Sequence, residues 1–354
     1  MIPSFNKIHN HFKLNGSYYN QETLKDVAYD YIKEGLPYQK TIGDFLLDWL
    51  DDNEAISVTT SGSTGAPKLV SIKKQSMVHS ALATGDYFGL RPHNTALYCL
   101  PTEFIAGKMM LVRALILGLE LDIVEPNSQP LTFVNKTYDF CAIVPLQLQN
   151  SIDKLNKVKT LIVGGATVSN KLQNKIQDTS CNIYATYGMT ETITHIAVKK
   201  LNNIPEDCYK TLPGIKISND SRGCLVINAP QLTDASVVTN DIIELCPKNG
   251  FKLLGRIDNV INSGGVKLFP ELIEKKLSEI IDEPFFVASK KDESLGESLI
   301  LVIEGQPEIE NLKVSIKKLD NLDKFEVPKK IFCLPQFVTT NSGKLQRKQT
   351  LELL

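Results

Sequence analysis

The chain has 354 residues, of which 42% are hydrophobic and 22% are charged, a composition typical of a globular protein and not of a disordered or collagen-like chain. Thirty-nine basic and forty acidic residues give a formal net charge of −1, so no overall positive field would attract nucleic acid or an anionic membrane. About two domains are expected at this length, and any anionic ligand must be bound by local positive charge.

The cysteines and the N-terminus predict a cytoplasmic protein. Seven cysteines are scattered, with neighbours never closer than sixteen positions, which excludes a zinc knuckle or a C-x-x-C pair and favours buried, reduced thiols. The segment 1–7 lacks the apolar core of a signal peptide. The longest apolar stretch, 114–124, is too short for a membrane span and contains Glu120 and Asp122.

The first 200 residues predict an α/β sheet with packed helices, because short β-rich runs alternate with helical patterns. Two amphipathic helices come first, at 21–34 and 39–50. The expected strands after them are 55–60, 96–100, 121–124, 140–144, 161–163 and 182–185. The expected helices between these strands are 74–88, 105–118, 145–155 and 168–177.

The texture changes between residues 212 and 254. Five short runs separated by Gly and Pro predict a small antiparallel sheet or barrel that closes the large domain: 215–218, 224–228, 237–239, 242–246 and 251–254. After Gly255 the chain carries 31 charged residues in 99, as expected for a smaller domain with more surface per residue. We therefore expect a large α/β domain at 1–255 and a smaller α+β domain at 256–354.

The segment 59–68 is the most informative motif. Five hydroxyl residues and two glycines precede Lys68 directly after a predicted strand, which offers backbone N–H groups, hydroxyls and one cation to an oxyanion such as phosphate. It is not a Walker A loop, because Pro67 stands where the second glycine belongs. The alternative interpretation is a polar hairpin turn.

Three further segments combine chemically useful residues. Tyr187, Thr190 and Glu191 follow a predicted strand and provide an aromatic ring, a hydroxyl and a carboxylate suited to Mg²⁺. Gly264-Gly265 lies in the segment 255–274 that joins the two predicted domains, where glycine permits close approach of a thin ligand. Lys344 follows a glycine near the C-terminus. Taken singly, the first segment is also typical of a strand-to-loop exit, the second ends in ordinary helix-initiation chemistry at Pro270 and Glu271, and the third is typical of a solvated basic turn.

In this order, the four segments resemble the signature motifs of the adenylate-forming superfamily, which includes the acyl-CoA synthetases. The resemblance covers roughly five-sixths of the chain, from about residue 55 to the end. Within the superfamily the chain is most similar to the o-succinylbenzoate:CoA ligases of menaquinone synthesis, through Tyr187–Glu191, the end of the 255–274 segment and residues 100–108. The resemblance implies the adenylate-forming enzyme fold, shortened at its N-terminus, with a mobile C-terminal domain.

The resemblance also implies the reaction. A small-molecule carboxylate would attack ATP to give an acyl-adenylate and pyrophosphate, and CoA would then displace AMP, with Mg²⁺ required. Thr190 would contact the α-phosphate, Glu191 would bind Mg²⁺, and Tyr187 would stack on adenine. The other implied ATP contacts are Ser61, Ser63, Thr64 and Lys68 for the phosphates, Gly164, Gly165 and Ala166 beside adenine, and Asp241 and Arg256 for the ribose.

In the small domain, Lys344 matches the adenylation lysine of the superfamily. Asp258 matches the hinge, and Gly264 and Gly265 match the pantetheine tunnel of CoA. The acyl pocket is less defined: Phe104, Lys108 and His195 are its candidates, and Lys108 or Arg113 could meet a second substrate carboxylate. Each of these has a structural alternative, such as a core aromatic, an exposed lysine or a hydrogen-bonded histidine.

Three departures from the superfamily stand out. Most relatives carry a longer region before the phosphate loop, so we expect one subdomain that flanks the acyl pocket to be mostly missing, and a homodimer is one way to supply its wall. Asn240 replaces the usual glycine before Asp241, and Val338-Thr339 replace the usual Pro-Lys. Two other functions remain open: transfer of the acyl group to a carrier-protein thiol, and a silent nucleotide-binding module. Retention of Lys344 argues against the silent module.

Overall fold

The structure is a computed structural model that describes residues 2–59, 69–339 and 345–354. Its described helices are, in chain order, α1 (Gln21–Glu34), α2 (Pro37–Leu50), α3 (Lys74–Phe88), α4 (Ile105–Leu117), α5 (Pro145–Gln149), α6 (Asn170–Lys175), α7 (Pro270–Leu277), α8 (Ile309–Lys317) and α9 (Arg347–Leu351). None of these helices is long and apolar enough to cross a membrane.

The strands fall into three sheets. Those up to residue 188 are β1 (Lys13–Leu14), β2 (Ser17–Tyr18), β3 (Ala55–Thr59), β4 (Leu69–Lys73), β5 (Thr95–Tyr98), β6 (Glu120–Ile123), β7 (Tyr138–Ile143), β8 (Val158–Val163) and β9 (Asn182–Gly188). The later strands are β10 (His195–Lys200), β11 (Tyr209–Thr211), β12 (Lys216–Asn219), β13 (Cys224–Asn228), β14 (Val237–Cys246), β15 (Gly250–Arg256), β16 (Ile261–Ser263), β17 (Val266–Leu268), β18 (Phe285–Asp292), β19 (Gly296–Glu304) and β20 (Lys330–Leu334).

Local sequence features determine where the first helix begins and which face it buries, as predicted. The side chain of Asn20 accepts a hydrogen bond from the Thr23 N–H at 2.9 Å, which caps the start of α1. Leu24 and Ala28, one turn apart, are fully buried against the core. The predicted helices at 21–34 and 74–88 are therefore confirmed to the residue.

One mixed sheet of thirteen strands forms the large α/β unit. Its order is β12-β13-β14-β15-β11-β10-β9-β8-β7-β5-β6-β1-β2. Neighbours from β9 through β8, β7, β5 and β6 to β1 are parallel, whereas β9 to β15 pair antiparallel. The predicted α/β class is confirmed.

The predicted small antiparallel sheet needs correction, because β12 to β15 are continuous with the large sheet through β11 and β10. The two predicted strands at 237–239 and 242–246 are also one strand, β14, with a register irregularity between Ile242 and Ile243. A bulge lets one strand continue past a break in its hydrophobic alternation. In the sequence, the same break looks like the gap between two short strands.

The predicted helix at 145–155 is shorter than expected. α5 covers only Pro145–Gln149, and a 3₁₀ helix follows at Ile152–Lys157. Pro145 sets the start of α5 because its fixed φ suits the first helical position. The predicted helix at 168–177 likewise shrinks to Asn170–Lys175.

A disulfide overturns the expectation that all seven cysteines are reduced thiols. Cys208 and Cys246 are joined across 38 residues of sequence, while the other five are free and four of these are buried. Cys208 directly precedes β11 and Cys246 ends β14, and both strands flank β15. The two cysteines lie close together because of the order of the strands in the sheet. The spacing of the cysteines along the sequence does not reveal this order.

The C-terminal residues form a second sheet with its own core. The order is β17-β16-β19-β18, and β20 pairs parallel to β19. Ile273 and Leu277 of α7 pack on the inner face with Leu301. β15 ends at Arg256 and β16 begins at Ile261. Division into two domains at residue 255 stays a prediction.

The β3–β4 hairpin is a separate two-stranded sheet, and a buried ion pair lies at its base. Lys74 is fully buried, and its Nζ lies 2.6 Å from Oδ1 of Asp51, whose side chain is 39% exposed. The same Nζ donates to the Asp51 carbonyl at 3.2 Å. This contact ties the start of α3 to the end of α2.

The two partners should contribute unequally to stability. Asp51→Ala leaves a buried ammonium without its carboxylate, so we expect it to lower the unfolding free energy by about 3 kcal/mol or more. Lys74→Met leaves only a half-exposed carboxylate, which water can solvate, and should cost about 1 kcal/mol. Urea unfolding of both variants measures the difference, and equal losses would contradict the asymmetry.

Candidate active site

Two predicted nucleotide segments leave the sheet side by side. Gly164–Ala166 follows β8, and the 3₁₀ helix Thr190–Thr192 follows β9. These strands are parallel neighbours, with Val163 opposite Ala185, so both segments begin at the same carboxyl edge. Ligands of open α/β sheets bind outside this edge, at a point where the strand order changes. Here β9 is the last parallel strand before the antiparallel part.

Glycine is required beside β9. A Cβ at Gly164 would lie 2.5 Å from Oγ1 of Thr186, and Gly165 has a φ of +85°. Thr186 itself donates to the Val163 carbonyl at 3.2 Å. The segment 164–166 therefore presents bare backbone along the edge, as expected of a surface beside a flat base.

The predicted adenine and ribose residues contact each other. Tyr187 is 8% exposed, and its hydroxyl donates to Oδ2 of Asp241 at 2.5 Å. Its ring packs edge-on against Phe251, with centroids 5.0 Å apart. Burial and the negative charge of Asp241 raise the pKa of Tyr187, so the hydroxyl remains a donor.

Tyr187 therefore positions Asp241, a role that sequence reasoning missed because the two residues are 54 positions apart. Oδ1 of Asp241 accepts no hydrogen bond within the described ranges 2–59, 69–339 and 345–354, so it is available to a sugar hydroxyl. Stacking of Tyr187 on adenine stays a prediction, since most of its ring is already packed.

Arg256 and Asp258 lie beside this pair. Asp241 on β14 is directly opposite Arg256 on β15, and Nη2 of Arg256 lies 3.0 Å from Oδ2 of Asp258. Asn240 donates to the same Asp258 oxygen at 3.2 Å. The predicted hinge residue is thus bonded to the strand that carries the predicted ribose carboxylate.

A short, tightly bonded turn carries Thr190 and Glu191. Thr192 is fully buried, its hydroxyl oxygen accepts from the Met189 N–H, and its single hydroxyl hydrogen faces two backbone carbonyl acceptors of the turn, the nearer at 2.9 Å. Ile193 has a φ of +68° and a ψ of −57°, and Thr194 N–H donates to the Thr192 carbonyl at 2.7 Å. This is a positive-φ γ-turn, a rare and strained conformation for a β-branched residue.

The turn leaves Glu191 exposed and without an ion pair in the part of the chain that the structure describes. One carboxylate together with phosphate oxygens and water is the donor set that Mg²⁺ prefers. The residues present therefore fit a magnesium ion held by Glu191. Thr192, which holds this turn together, was not among the predicted site residues. The only signal for it in the sequence is its hydroxyl, directly after Thr190 and Glu191.

The predicted phosphate loop and the predicted adenylation lysine fall outside the described residues. The predicted site residues concerned are Ser61, Ser63, Thr64, Lys68 and Lys344. The structure does describe the residues that flank these two segments, and their backbones are paired in β-structure. Thr59 is opposite Leu69 in the β3–β4 hairpin, and Thr339 is opposite Leu345 in an isolated antiparallel bridge.

Gly264 and Gly265 form the turn between β16 and β17, with φ values of +57° and +83°. A Cβ at Gly265 would meet no atom within 4 Å of the described structure. The turn is exposed. A thin chain such as pantetheine could pass there, and this role stays a prediction.

The three acyl-pocket candidates come from two elements: Phe104 and Lys108 lie one turn apart at the start of α4, where the Lys108 N–H donates to the Phe104 carbonyl at 3.2 Å, and His195 opens β10. Phe104 caps α4 and is 49% exposed, so it is not a core aromatic. Lys108 turns toward α2, where its Nζ lies 5.0 Å from the Phe45 ring centre, and burial lowers its pKa. His195 is buried beside Arg113, with its Nδ1 3.3 Å from Arg113 Nη2. Burial and the Arg113 charge lower the pKa of His195 well below its usual value, so it is neutral.

Comparison with known proteins gives one family and a consistent set of relatives. The sequence model of the family described as AMP-binding enzyme matches residues 32–228. The 2-succinylbenzoate–CoA ligase of Lactococcus lactis is 27% identical in an alignment of 331 positions that covers 85% of this chain and 72% of that protein. The ligase of the same name from Escherichia coli K12 is 24% identical, covering 83% and 67%.

Solved structures agree on the fold. An AMP-forming acyl-CoA synthetase-like protein from Dyadobacter fermentans is 36% identical, with a TM-score of 0.63 and coverage of 93% of this chain and 98% of that chain. O-succinylbenzoate coenzyme A synthetase from Bacillus subtilis, in complex with ATP and magnesium, is 20% identical with a TM-score of 0.71, covering 83% and 69%. The predicted fold class is confirmed.

The Tyr187–Asp241 contact yields a test. Tyr187→Phe removes the hydrogen bond that holds the Asp241 carboxylate, a loss of about 1.5–3 kcal/mol of stability, so the melting temperature should fall modestly and nucleotide affinity, measured on the folded protein, should fall at least about 10-fold. Calorimetric titration with ATP measures the affinity. Tyr209→Phe is the matched control, since Tyr209 stacks on Phe251 in the same cluster. Unchanged affinity in Tyr187→Phe would contradict the positioning role.

Proposed function

Because the chain belongs to the family of AMP-binding enzymes, we propose that it is an ATP-dependent acid:CoA ligase whose carboxylate substrate is o-succinylbenzoate. The names of the relatives support the reaction and the substrate. The observation that carries the proposal within the chain is the Tyr187–Asp241 pair, which lies beside Arg256 and next to the turn with Thr190 and Glu191.

The first half-reaction brings two anions together. A carboxylate oxygen of the acid attacks the α-phosphorus of ATP, and the bond to pyrophosphate breaks, which leaves an acyl-adenylate. Each unit-charge contact at 4 Å is worth about 4 kcal/mol at an effective dielectric of about 20. Correctly placed cations therefore decide the rate.

The chain's own residues divide this task. Asp241 and Arg256 hold the ribose, and Thr190 bonds the α-phosphate. Lys68 and Lys344 supply positive charge to the phosphates and to the transferred phosphoryl group. Magnesium held by Glu191 would neutralise phosphate oxygens when bound.

The second half-reaction needs the CoA thiol but no dedicated general base. The CoA thiolate attacks the acyl carbon, the bond to AMP breaks, and a thioester forms. A thiol with a pKa of about 8.5 is already a few per cent thiolate at neutral pH, so no strong base is required. Asp258 serves as the hinge for the reorientation of residues 256–354, and Gly264-Gly265 gives the pantetheine arm its path.

ATP–pyrophosphate exchange with a panel of aromatic and fatty acids tests the proposed reaction. We expect exchange that depends on o-succinylbenzoate, followed by discharge of the adenylate by free CoA. Discharge only by a carrier-protein thiol would make the chain a carrier-loading enzyme. Exchange with none of the acids would leave a silent nucleotide-binding module and refute the proposal.

Two variants should separate the half-reactions. Lys344→Ala should abolish adenylate formation while a pre-made adenylate still reacts with CoA, because the lysine acts on the phosphoryl transfer alone. Gly265→Leu should block thioester formation only, because its side chain would fill the pantetheine path.

Gly305→Leu is the matched control for the second variant, since Gly305 also has a positive φ, +99°, and open space around it. Equal loss of both half-reactions in Lys344→Ala would contradict the lysine assignment. Normal CoA turnover by Gly265→Leu would contradict the tunnel.

Assembly and location stay predictions. A homodimer would supply a second wall to the acyl pocket, and an active monomer in light scattering would refute it. A cytoplasmic location is likewise a prediction, and the Cys208–Cys246 disulfide is unusual for that compartment.

A further inference from the structure

The side chain of Asn240 joins the predicted hinge to the large sheet. Its amide group, on β14, donates to both carboxylate oxygens of Asp258, at 3.4 Å to Oδ1 and 3.2 Å to Oδ2. Nη2 of Arg256, at the end of β15, lies 3.0 Å from Oδ2. Among the described residues, Oδ1 therefore has no donor other than Asn240. The Asp258 carboxylate is bonded to two neighbouring strands of the large sheet.

Arg222 fixes the direction in which Asn240 donates. Nη1 of Arg222 donates to Oδ1 of Asn240 at 3.3 Å, and its Nη2 donates to the Thr239 carbonyl at 3.2 Å. A flipped Asn240 amide would point its NH₂ group at the guanidinium and its oxygen at the carboxylate, so each group would face its own kind. Only one orientation of the amide pairs donors with acceptors, and in that orientation the NH₂ group faces Asp258.

The turn before β13 holds Arg222 in place. Oδ1 of Asp220 accepts from the N–H groups of Arg222 and Cys224, at 2.8 and 3.0 Å, and Oδ2 accepts from Nε of Arg222 at 2.8 Å. The Cys224 N–H and the Arg222 guanidinium keep the pKa of Asp220 below its usual value, so this carboxylate stays charged at neutral pH. The guanidinium is therefore fixed to the sheet, although its side chain is partly exposed.

The Asn240–Asp258 contact belongs to one position of residues 256–354. Asp258 lies in the single 3₁₀ turn Ile257–Asn259 between the two sheets, whereas Asn240 is part of the large sheet. Rotation about this turn would change the distance between the two side chains. The Gly264–Gly265 turn is exposed in the present position. An open turn does not enclose a pantetheine arm, so this position fits the adenylation step and not the CoA step.

We propose that Asn240 is a positioning residue, which holds the hinge carboxylate Asp258 in the orientation used for adenylation and so sets the balance between the two half-reactions. This inference rests on the proposed ligase function and on the proposed reorientation of residues 256–354. Each half-reaction runs only in its own orientation. Loss of the bond lowers the population of the first orientation relative to the second, and the ratio of the two rates changes by the same factor.

Asn240→Ala tests the balance, because it removes the amide and leaves the strand backbone unchanged. Adenylate formation is measured as pyrophosphate release in a single turnover, with an acid that the wild type activates. The second step is measured by adding CoA to pre-made adenylate. The ratio of the second rate to the first should rise roughly 3-fold, as for one hydrogen bond at a partly exposed site. The KM for ATP should stay at the wild-type value, since Asp241 keeps its bond to Tyr187.

Asn240→Asp adds a charge signature. It places a second carboxylate opposite Asp258, so the ratio should rise further than in Asn240→Ala at low salt. In about 1 M KCl, where the Debye length is about 3 Å, it should approach the Asn240→Ala value. A general packing defect has no such dependence on salt.

Asn228→Ala is the matched control. Asn228 lies on the neighbouring strand β13, and its amide donates to Ser236 at 3.3 Å and not to the hinge, so the ratio should keep its wild-type value. A ratio that stays the same or falls in Asn240→Ala, or equal losses of both rates, would overturn the positioning role.

Hydrogen–deuterium exchange of the protein without substrates tests the bond apart from the reaction. Peptides that contain residues 256–263 should exchange faster in Asn240→Ala than in the wild type or in Asn228→Ala. If pyrophosphate exchange fails with every acid, the ligase proposal fails, and this measurement still decides whether Asn240 holds the hinge. Unchanged exchange in these peptides would overturn the assignment, as would faster exchange with an unchanged ratio of rates.

Discussion

The carboxyl ends of four neighbouring parallel strands, β5, β7, β8 and β9, meet at one edge of the large sheet, and the site depends on this constraint. It places the bare backbone at Gly164–Ala166 next to the turn with Thr190 and Glu191. The antiparallel strands beyond β9 then bring Asp241 within hydrogen-bond distance of Tyr187. A nucleotide site can be assembled in this way from Gly164 and Asp241, 77 positions apart, because each lies on a strand or directly at the end of one.

The sequence was sufficient where the signal is local. The Asn20 cap and the Leu24/Ala28 face define α1 without help from the rest of the fold. The sequence-based prediction was wrong where contacts with distant residues determine the structure. The helix that begins at Pro145 ends after five residues, and β14 continues as one strand through a register irregularity. The Cys208–Cys246 bond is the extreme case, since β15 separates the strands at which the two cysteines lie.

For the site, the motifs located residues but not the contacts among them. Tyr187 and Asp241 were each predicted to contact the nucleotide, whereas the hydrogen bond between them follows only from the sheet order. Lys108 and Arg113 were equivalent in sequence, because both are basic residues on α4. The fold separates them: one side chain packs on Phe45, and the other is buried beside His195. Helix periodicity alone does not show which neighbours each side chain meets.

The central claim is that this edge of the sheet joins a carboxylate to AMP. Mass spectrometry of a single-turnover reaction with ATP and o-succinylbenzoate, quenched in the absence of CoA, tests it most directly. The account predicts an o-succinylbenzoyl-adenylate that stays bound to the protein, at up to one equivalent per chain, together with released pyrophosphate. Recovery of unchanged ATP, or of AMP and pyrophosphate without the adenylate at any quench time, would contradict it.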